Sequence, residues 1–94
     1  EGTAVFHDTI INTKTKIGKN CIINTKSLIE HDVIINNHVH ISTGARINGS
    51  CEIGEGSFIG SGAIICQNVK IGKNCIIGAG AIIKKNIGNN RIVK

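Results

Sequence analysis

The chain has 94 residues, of which 40% are hydrophobic and only 2% are aromatic, and its formal net charge at pH 7 is +5. This length accommodates one domain at most. No apolar run approaches the roughly 18 residues of a membrane span and no secretory signal is present, so the sequence favours a cytoplasmic location without a membrane partner. The basic residues are scattered and the aromatic side chains that stack on bases are almost missing, so we expect no nucleic-acid partner.

An isoleucine or valine recurs every six residues from Val5 to Ile83, without an insertion or a deletion. These residues begin 14 consecutive hexads over residues 5–88, and the fifth position usually holds a small residue such as Ser57 or Ala63. A six-residue period fits neither an α-helix nor a strand with one buried face. Repeats of this length indicate a parallel β-helix, with the first and fifth positions facing the core.

The fourth position of each hexad predicts a corner. Eleven of the 14 fourth positions hold Gly, Asn, Asp or His, the residues that tolerate a positive φ. Three corners per coil make a triangular prism whose flat faces are short parallel sheets. The predicted fold class is therefore all-β, a hexapeptide-repeat β-helix with a little under five coils.

His31 and Asp32 occupy the third and fourth positions of one hexad, so both are expected on the outside of a rigid corner. Histidine is the usual general base near neutral pH, and a neighbouring carboxylate orients the ring and stabilises its protonated form. The pair predicts a base for deprotonating an amine or a hydroxyl. The alternative is an exposed His-Asp pair without a role.

The segments 24–32 and 38–45 resemble the active-site region of the bacterial amino-sugar N-acetyltransferases and sialic-acid O-acetyltransferases. This branch belongs to the hexapeptide-repeat acyltransferases, whose fold is a left-handed parallel β-helix. The resemblance implies that His31 is the catalytic base, that Asp32 polarises it in place of the usual glutamate, and that Asn24 is the matching active-site asparagine. It also implies that His40 contacts the thioester end of acetyl-CoA, although His40 also fits the role of a packing residue.

The same resemblance implies further binding positions and an assembly. Ser61 and Ala79 match the positions where the backbone grips the pantetheine of acetyl-CoA, and ordinary packing between subunits is the alternative for both. A basic tail is available for the CoA phosphates; it comprises Lys84, Lys85, Arg91 and Lys94. The expected assembly is a homotrimer. No metal cofactor is expected.

The implied function is transfer of an acetyl group from acetyl-CoA to an amine or hydroxyl of a nucleotide-linked amino sugar or sialic acid. Two other readings stay open: a non-catalytic trimeric β-helix module, and a zinc carbonic anhydrase on the same prism. The carbonic anhydrase hypothesis is the weaker of the two, because His31, His38 and His40 do not have the spacing of the zinc-binding histidines in that family.

The ends of the chain suggest a domain from a longer protein. Residues 1–88 are expected to form the β-helical acetyltransferase domain, and residues 89–94 a C-terminal tail. A turn at Gly88-Asn89-Asn90 is expected to lead into the last four residues. The N-terminal sugar-binding domain that the resemblance implies has no counterpart in these residues.

Overall fold

The computed structural model describes residues 2–94. These residues form 15 strands of two residues each and no helix, so none of them contributes a helix able to cross a membrane. The strands are β1 (Ala4–Val5), β2 (Ile10–Ile11), β3 (Lys16–Ile17), β4 (Ile22–Ile23), β5 (Leu28–Ile29), β6 (Ile34–Ile35), β7 (His40–Ile41), β8 (Arg46–Ile47), β9 (Glu52–Ile53), β10 (Phe58–Ile59), β11 (Ile64–Ile65), β12 (Lys70–Ile71), β13 (Ile76–Ile77), β14 (Ile82–Ile83) and β15 (Ile92–Val93).

The strands assemble into three parallel sheets, one for each face of a triangular prism. Sheet A has the order β1-β4-β7-β10-β13-β15, sheet B the order β14-β11-β8-β5-β2, and sheet C the order β12-β9-β6-β3. Residues 18 apart pair in the sheets, as Ile23 does with Ile41 and Ile59 with Ile77. Three hexads therefore make one coil, and the chain is a parallel β-solenoid of about five coils. The predicted fold is confirmed, and it is consistent with the left-handed β-helix of the resembling family.

The core is a stack of first-position isoleucines and small fifth-position residues. Ile41, Ile59 and their stacked neighbours are fully buried. Cys21, Cys51 and Cys75 are buried at fifth positions, and all three thiols are free. The Cys51 Sγ donates to the carbonyl of Cys66 at 2.9 Å, and burial raises the pKa of the Cys51 thiol. These cysteines act as compact core residues.

The corners form as predicted in 13 of the 14 hexads, with a positive φ at the fourth position. Lys14, Lys26 and Ser50 adopt it as well, with φ of 59°, 61° and 60°, although their side chains do not favour it. Hydrogen bonds between coils stabilise the corner: the Asp32 amide, for example, donates to the Thr13 carbonyl at 3.1 Å. Packing between the coils therefore stabilises a positive φ at residues whose side chains disfavour it.

The six-residue spacing ends at Ile83, earlier than predicted. Ile87 pairs with Ile71, only 16 residues before it, and Val93 pairs with Ile77 at the same shorter interval. The step after Ile83 is two residues short, so the prediction of a regular hexad at residues 83–88 is wrong, and Asn86 lacks the positive φ of the other corners. The segment 89–94, predicted as a tail, turns and adds β15 to sheet A.

Candidate active site

The three edges of the prism define where the predicted site residues lie. We name corner one the edge after sheet A, corner two the edge after sheet B and corner three the edge after sheet C. Corner two lies between sheets B and C, so it is opposite sheet A. The third positions of its hexads form a column of Thr13, His31, Gly49, Gln67 and Lys85.

The side chains of His31 and Asp32 form a hydrogen bond at corner two. The His31 Nδ1 is 3.0 Å from the Asp32 Oδ2, and the two side chains are 56% and 50% exposed. A carboxylate accepts hydrogen bonds but cannot donate them, so the bond puts a hydrogen on Nδ1 and leaves Nε2 with a free lone pair in the neutral ring. The backbone is held from both sides, because the His31 carbonyl accepts from the Ser50 amide at 3.1 Å in the next coil. This arrangement suits a general base that is oriented and open to solvent.

Asn24 follows β4 and lies at corner one, across sheet B from His31. Its Oδ1 accepts a hydrogen bond from the Thr25 amide at 2.9 Å, and its backbone carbonyl accepts one from the Thr9 Oγ1 at 2.9 Å. Within residues 2–94, no hydrogen bond joins Asn24 to His31. Within a single chain, Asn24 therefore stabilises the turn at corner one and does not orient the His31 ring.

His40 points outward from sheet A and is half-buried. It stands between Ile22 and Phe58 in the sheet, and the His40 and Phe58 ring centroids are 4.9 Å apart at an interplanar angle of 57°. This contact explains its burial as packing, the alternative that the sequence left open. Part of the His40 ring remains accessible on the outer surface of sheet A.

Ser61 and Ala79 lie in successive coils at the third position of corner one, and both are exposed. The Ser61 carbonyl accepts from the Gly80 amide at 2.9 Å, which ties the two coils together. Because both side chains are small, the backbone along this edge is open to an elongated ligand.

The predicted site residues therefore divide into two groups on different parts of the prism. His31 and Asp32 lie at corner two, whereas Asn24 and the three predicted acetyl-CoA contacts lie on sheet A or at corner one. The isoleucine core lies between corner two and sheet A, and the face of sheet B lies between corner two and corner one. One chain does not bring them together.

Gly49 lies against the His31 ring, a contact that the sequence interpretation missed. It is buried at corner two, one coil after His31, and a Cβ built on it would lie 3.0 Å from both Cε1 and Nε2 of the His31 ring. The 18-residue interval between the two positions was the signal that could have revealed it.

A groove with a cavity volume of about 540 Å³ runs along sheet C toward corner three. Its charged lining residues are Glu52, Glu55, Lys70 and Lys73, and none of the predicted site residues lines it. Over the described range 2–94, no three His, Cys, Asp or Glu side chains come together as a metal site would require.

The model of the family described as bacterial transferase hexapeptide (six repeats) matches residues 3–49 and 50–85. No curated protein sequence matches the chain significantly.

Several solved structures are similar. A mutant perosamine N-acetyltransferase from Caulobacter crescentus, in complex with CoA and GDP-perosamine, is 30% identical with a TM-score of 0.97, over 98% of this chain and 44% of that one. WeeI from Acinetobacter baumannii AYE is 32% identical with a TM-score of 0.88, over 98% and 45%. The acetyltransferase domain of PglB from Neisseria gonorrhoeae FA1090, in complex with acetyl coenzyme A, is 32% identical with a TM-score of 0.74, over 93% and 48%. The chain thus spans less than half the length of each.

Proposed function

The chain belongs to the bacterial transferase hexapeptide family, and from this premise we propose that it is the catalytic β-helix of an acetyl-CoA-dependent acetyltransferase. The proposed acceptor is an amine or hydroxyl of a nucleotide-linked sugar. The observation that carries the proposal is the His31–Asp32 pair, held on a rigid corner at 3.0 Å with Nε2 free. CoA and GDP-perosamine in one similar structure, and acetyl coenzyme A in another, support the choice of donor and acceptor.

In the proposed mechanism, His31 acts as the general base. Its Nε2 accepts a proton from the acceptor amine as that nitrogen forms its bond to the acetyl carbon, and the Asp32 carboxylate stabilises the resulting imidazolium. Acetyl-CoA supplies the acetyl group as a thioester. When the carbon–sulfur bond breaks, His31 returns its proton to the departing sulfur. The reaction thus yields an N-acetylated sugar and CoA, and an acceptor hydroxyl would yield the corresponding ester.

The residues that would hold acetyl-CoA are on sheet A and at corner one. Ser61 and Ala79 leave the backbone open to the pantetheine chain, and His40 is accessible enough to meet the thioester end. These roles rest on the family resemblance together with the exposure of the three residues.

The active site requires a second copy of the chain. Since His31 and His40 lie on opposite sides of one prism, they can share a site only when His31 of one copy faces His40 of the next. A contact between two different surfaces closes into a ring when the rotation permits. The side chains that point outward from sheets A and B are mostly apolar, whereas those that point outward from sheet C are mostly charged or polar. We therefore propose a cyclic homotrimer that uses sheets A and B.

The trimer is expected to dissociate when a charge is introduced on sheet A but not on sheet C. Ile76 on sheet A is 47% exposed and Ile34 on sheet C is 40% exposed, so the two positions are matched. Ile76→Lys would bury an unpaired ammonium in the interface, which is strongly unfavourable, whereas Ile34→Lys would leave its charge in water. The molar mass from light scattering should be three times the 9.9 kDa chain mass for the wild type and for Ile34→Lys. The molar mass of Ile76→Lys should be lower than that of the trimer. A stable wild-type monomer at micromolar concentration would contradict the proposed site.

CoA binding is expected to raise the melting temperature of the chain. A ligand present at about 100 times its Kd stabilises the folded state by about 2.7 kcal/mol. We expect the shift with CoA and acetyl-CoA, and its loss in Ser61→Tyr, which fills the open edge at corner one. Glu55→Tyr is the matched control, because Glu55 occupies the same exposed position of a hexad at corner three. If millimolar CoA produces no shift in the wild type, the acetyltransferase proposal fails for this chain.

A further inference from the structure

We propose that Gly49 is a positioning residue for His31: its missing side chain gives the imidazole the space to lie against the next coil with Nε2 free. The inference deepens the proposed function and depends on it for its catalytic meaning, because it concerns the orientation of the proposed base. The supporting observation is the close approach of the His31 ring to Gly49 in the next coil.

The His31 ring covers Gly49. A Cβ on Gly49 would lie 3.0 Å from Cε1, 3.0 Å from Nε2 and 3.6 Å from Cδ2 of the ring. The first two distances are shorter than ordinary van der Waals contact, which begins near 3.5 Å for carbon atoms. Gly49 is buried although it belongs to an exposed corner, and the ring above it accounts for that burial.

The backbone at Gly49 does not itself require glycine. Gly49 has no positive φ, unlike Gly44, Gly56 and Gly62. Its equivalents in the corner-two column carry side chains as different as those of Thr13 and Gln67. The missing Cβ is therefore explained by the His31 ring rather than by the turn.

Two contacts together determine where Nε2 points. The Nδ1 atom is held by its 3.0 Å bond to the Asp32 carboxylate, and Gly49 lies against the adjoining side of the ring, formed by Cε1 and Nε2. A methyl group at residue 49 requires this side of the ring to move by a few tenths of an ångström. Because Nδ1 is held by Asp32, the movement changes the direction in which Nε2 meets the acceptor.

The test compares Gly49→Ala with Gly88→Ala. Gly88 has no positive φ and no atom within 4 Å of a Cβ built on it, so it controls for replacing glycine by alanine. Two-bond ¹H–¹⁵N spectra of the imidazoles report which ring nitrogen carries the hydrogen. We expect the His31 signals to move in Gly49→Ala and to stay unchanged in Gly88→Ala. With acetyl-CoA and GDP-perosamine as the probe substrates, kcat should fall about tenfold or more in Gly49→Ala, while the KM for acetyl-CoA changes little.

A double-mutant cycle keeps the inference falsifiable if Gly49→Ala folds poorly. If the methyl group clashes only with the ring, the loss of melting temperature caused by Gly49→Ala should disappear in the His31→Ala background. An equal loss with and without His31, or unchanged His31 signals in Gly49→Ala, would overturn the inference. Full activity of His31→Ala would instead refute the proposed base and leave the steric result standing, so the two failures are distinguishable.

Discussion

Replacing His31 by alanine is expected to lower kcat by about 10²–10⁴, the usual contribution of a general acid–base residue. The proposed proton transfer uses Nε2, and no other described titratable side chain hydrogen-bonds to this ring besides Asp32. Acetyl-CoA affinity should stay near its original value, because the predicted cofactor contacts lie on sheet A and at corner one of the partner copy. The measurement is steady-state acetyl transfer to a nucleotide-linked amino sugar, with CoA affinity determined separately.

Two further variants sharpen this result. Asp32→Asn keeps an acceptor for the Nδ1 hydrogen but removes the negative charge that stabilises the imidazolium, so its loss of kcat should be smaller than that of His31→Ala. His38→Asn is the control, since it replaces an exposed corner histidine by a residue that tolerates the same positive φ of 59°. An unchanged kcat in His31→Ala would refute the mechanism, and His40 would become the next candidate for the base.

Replacing Ile59 by alanine is expected to destabilise the fold by about 2–5 kcal/mol, the range for large-to-small changes in a core. Ile59 is fully buried and stacks between Ile41 and Ile77 of the adjacent coils. The cavity cannot close easily, because each coil is held to its neighbours by regular backbone hydrogen bonds. Ile41→Ala should behave in the same way, since Ile41 occupies the same column one coil earlier.

Urea unfolding at a fixed protein concentration would measure these changes, since oligomer stability depends on concentration. Thr13→Ala is the control, because Thr13 is exposed and the hydrogen bond at this corner uses its backbone carbonyl rather than its side chain. Its effect should stay within about 0.5 kcal/mol. A cost below about 1 kcal/mol for Ile59→Ala would contradict the assignment of the isoleucine column to the core.

The sequence alone determined which residues stack, because the hexad is a local repeat. Six residues make one face and one corner, so the position of Ile41 over Ile23 follows from counting to 18. The same counting failed after Ile83, because the next core residue, Ile87, follows after four residues instead of six. Ile87 and Val93 nevertheless pair with Ile71 and Ile77 of the preceding coil. Pairing with the preceding coil stabilises these residues there, and a fixed period could not anticipate it.

The sequence also determined that His31 and Asp32 share a corner, since neighbouring residues at an exposed turn are close in any fold of this kind. Only the tertiary structure decided which predicted site residues meet. His31 and His40 are nine residues apart, which is half a coil, so the chain carries them to opposite sides of the core. Gly49 is 18 residues from His31, one full coil, so it lies beneath the ring. Proximity in a solenoid depends on the position around the coil, and the roles of these residues in catalysis remain predictions that the proposed variants test.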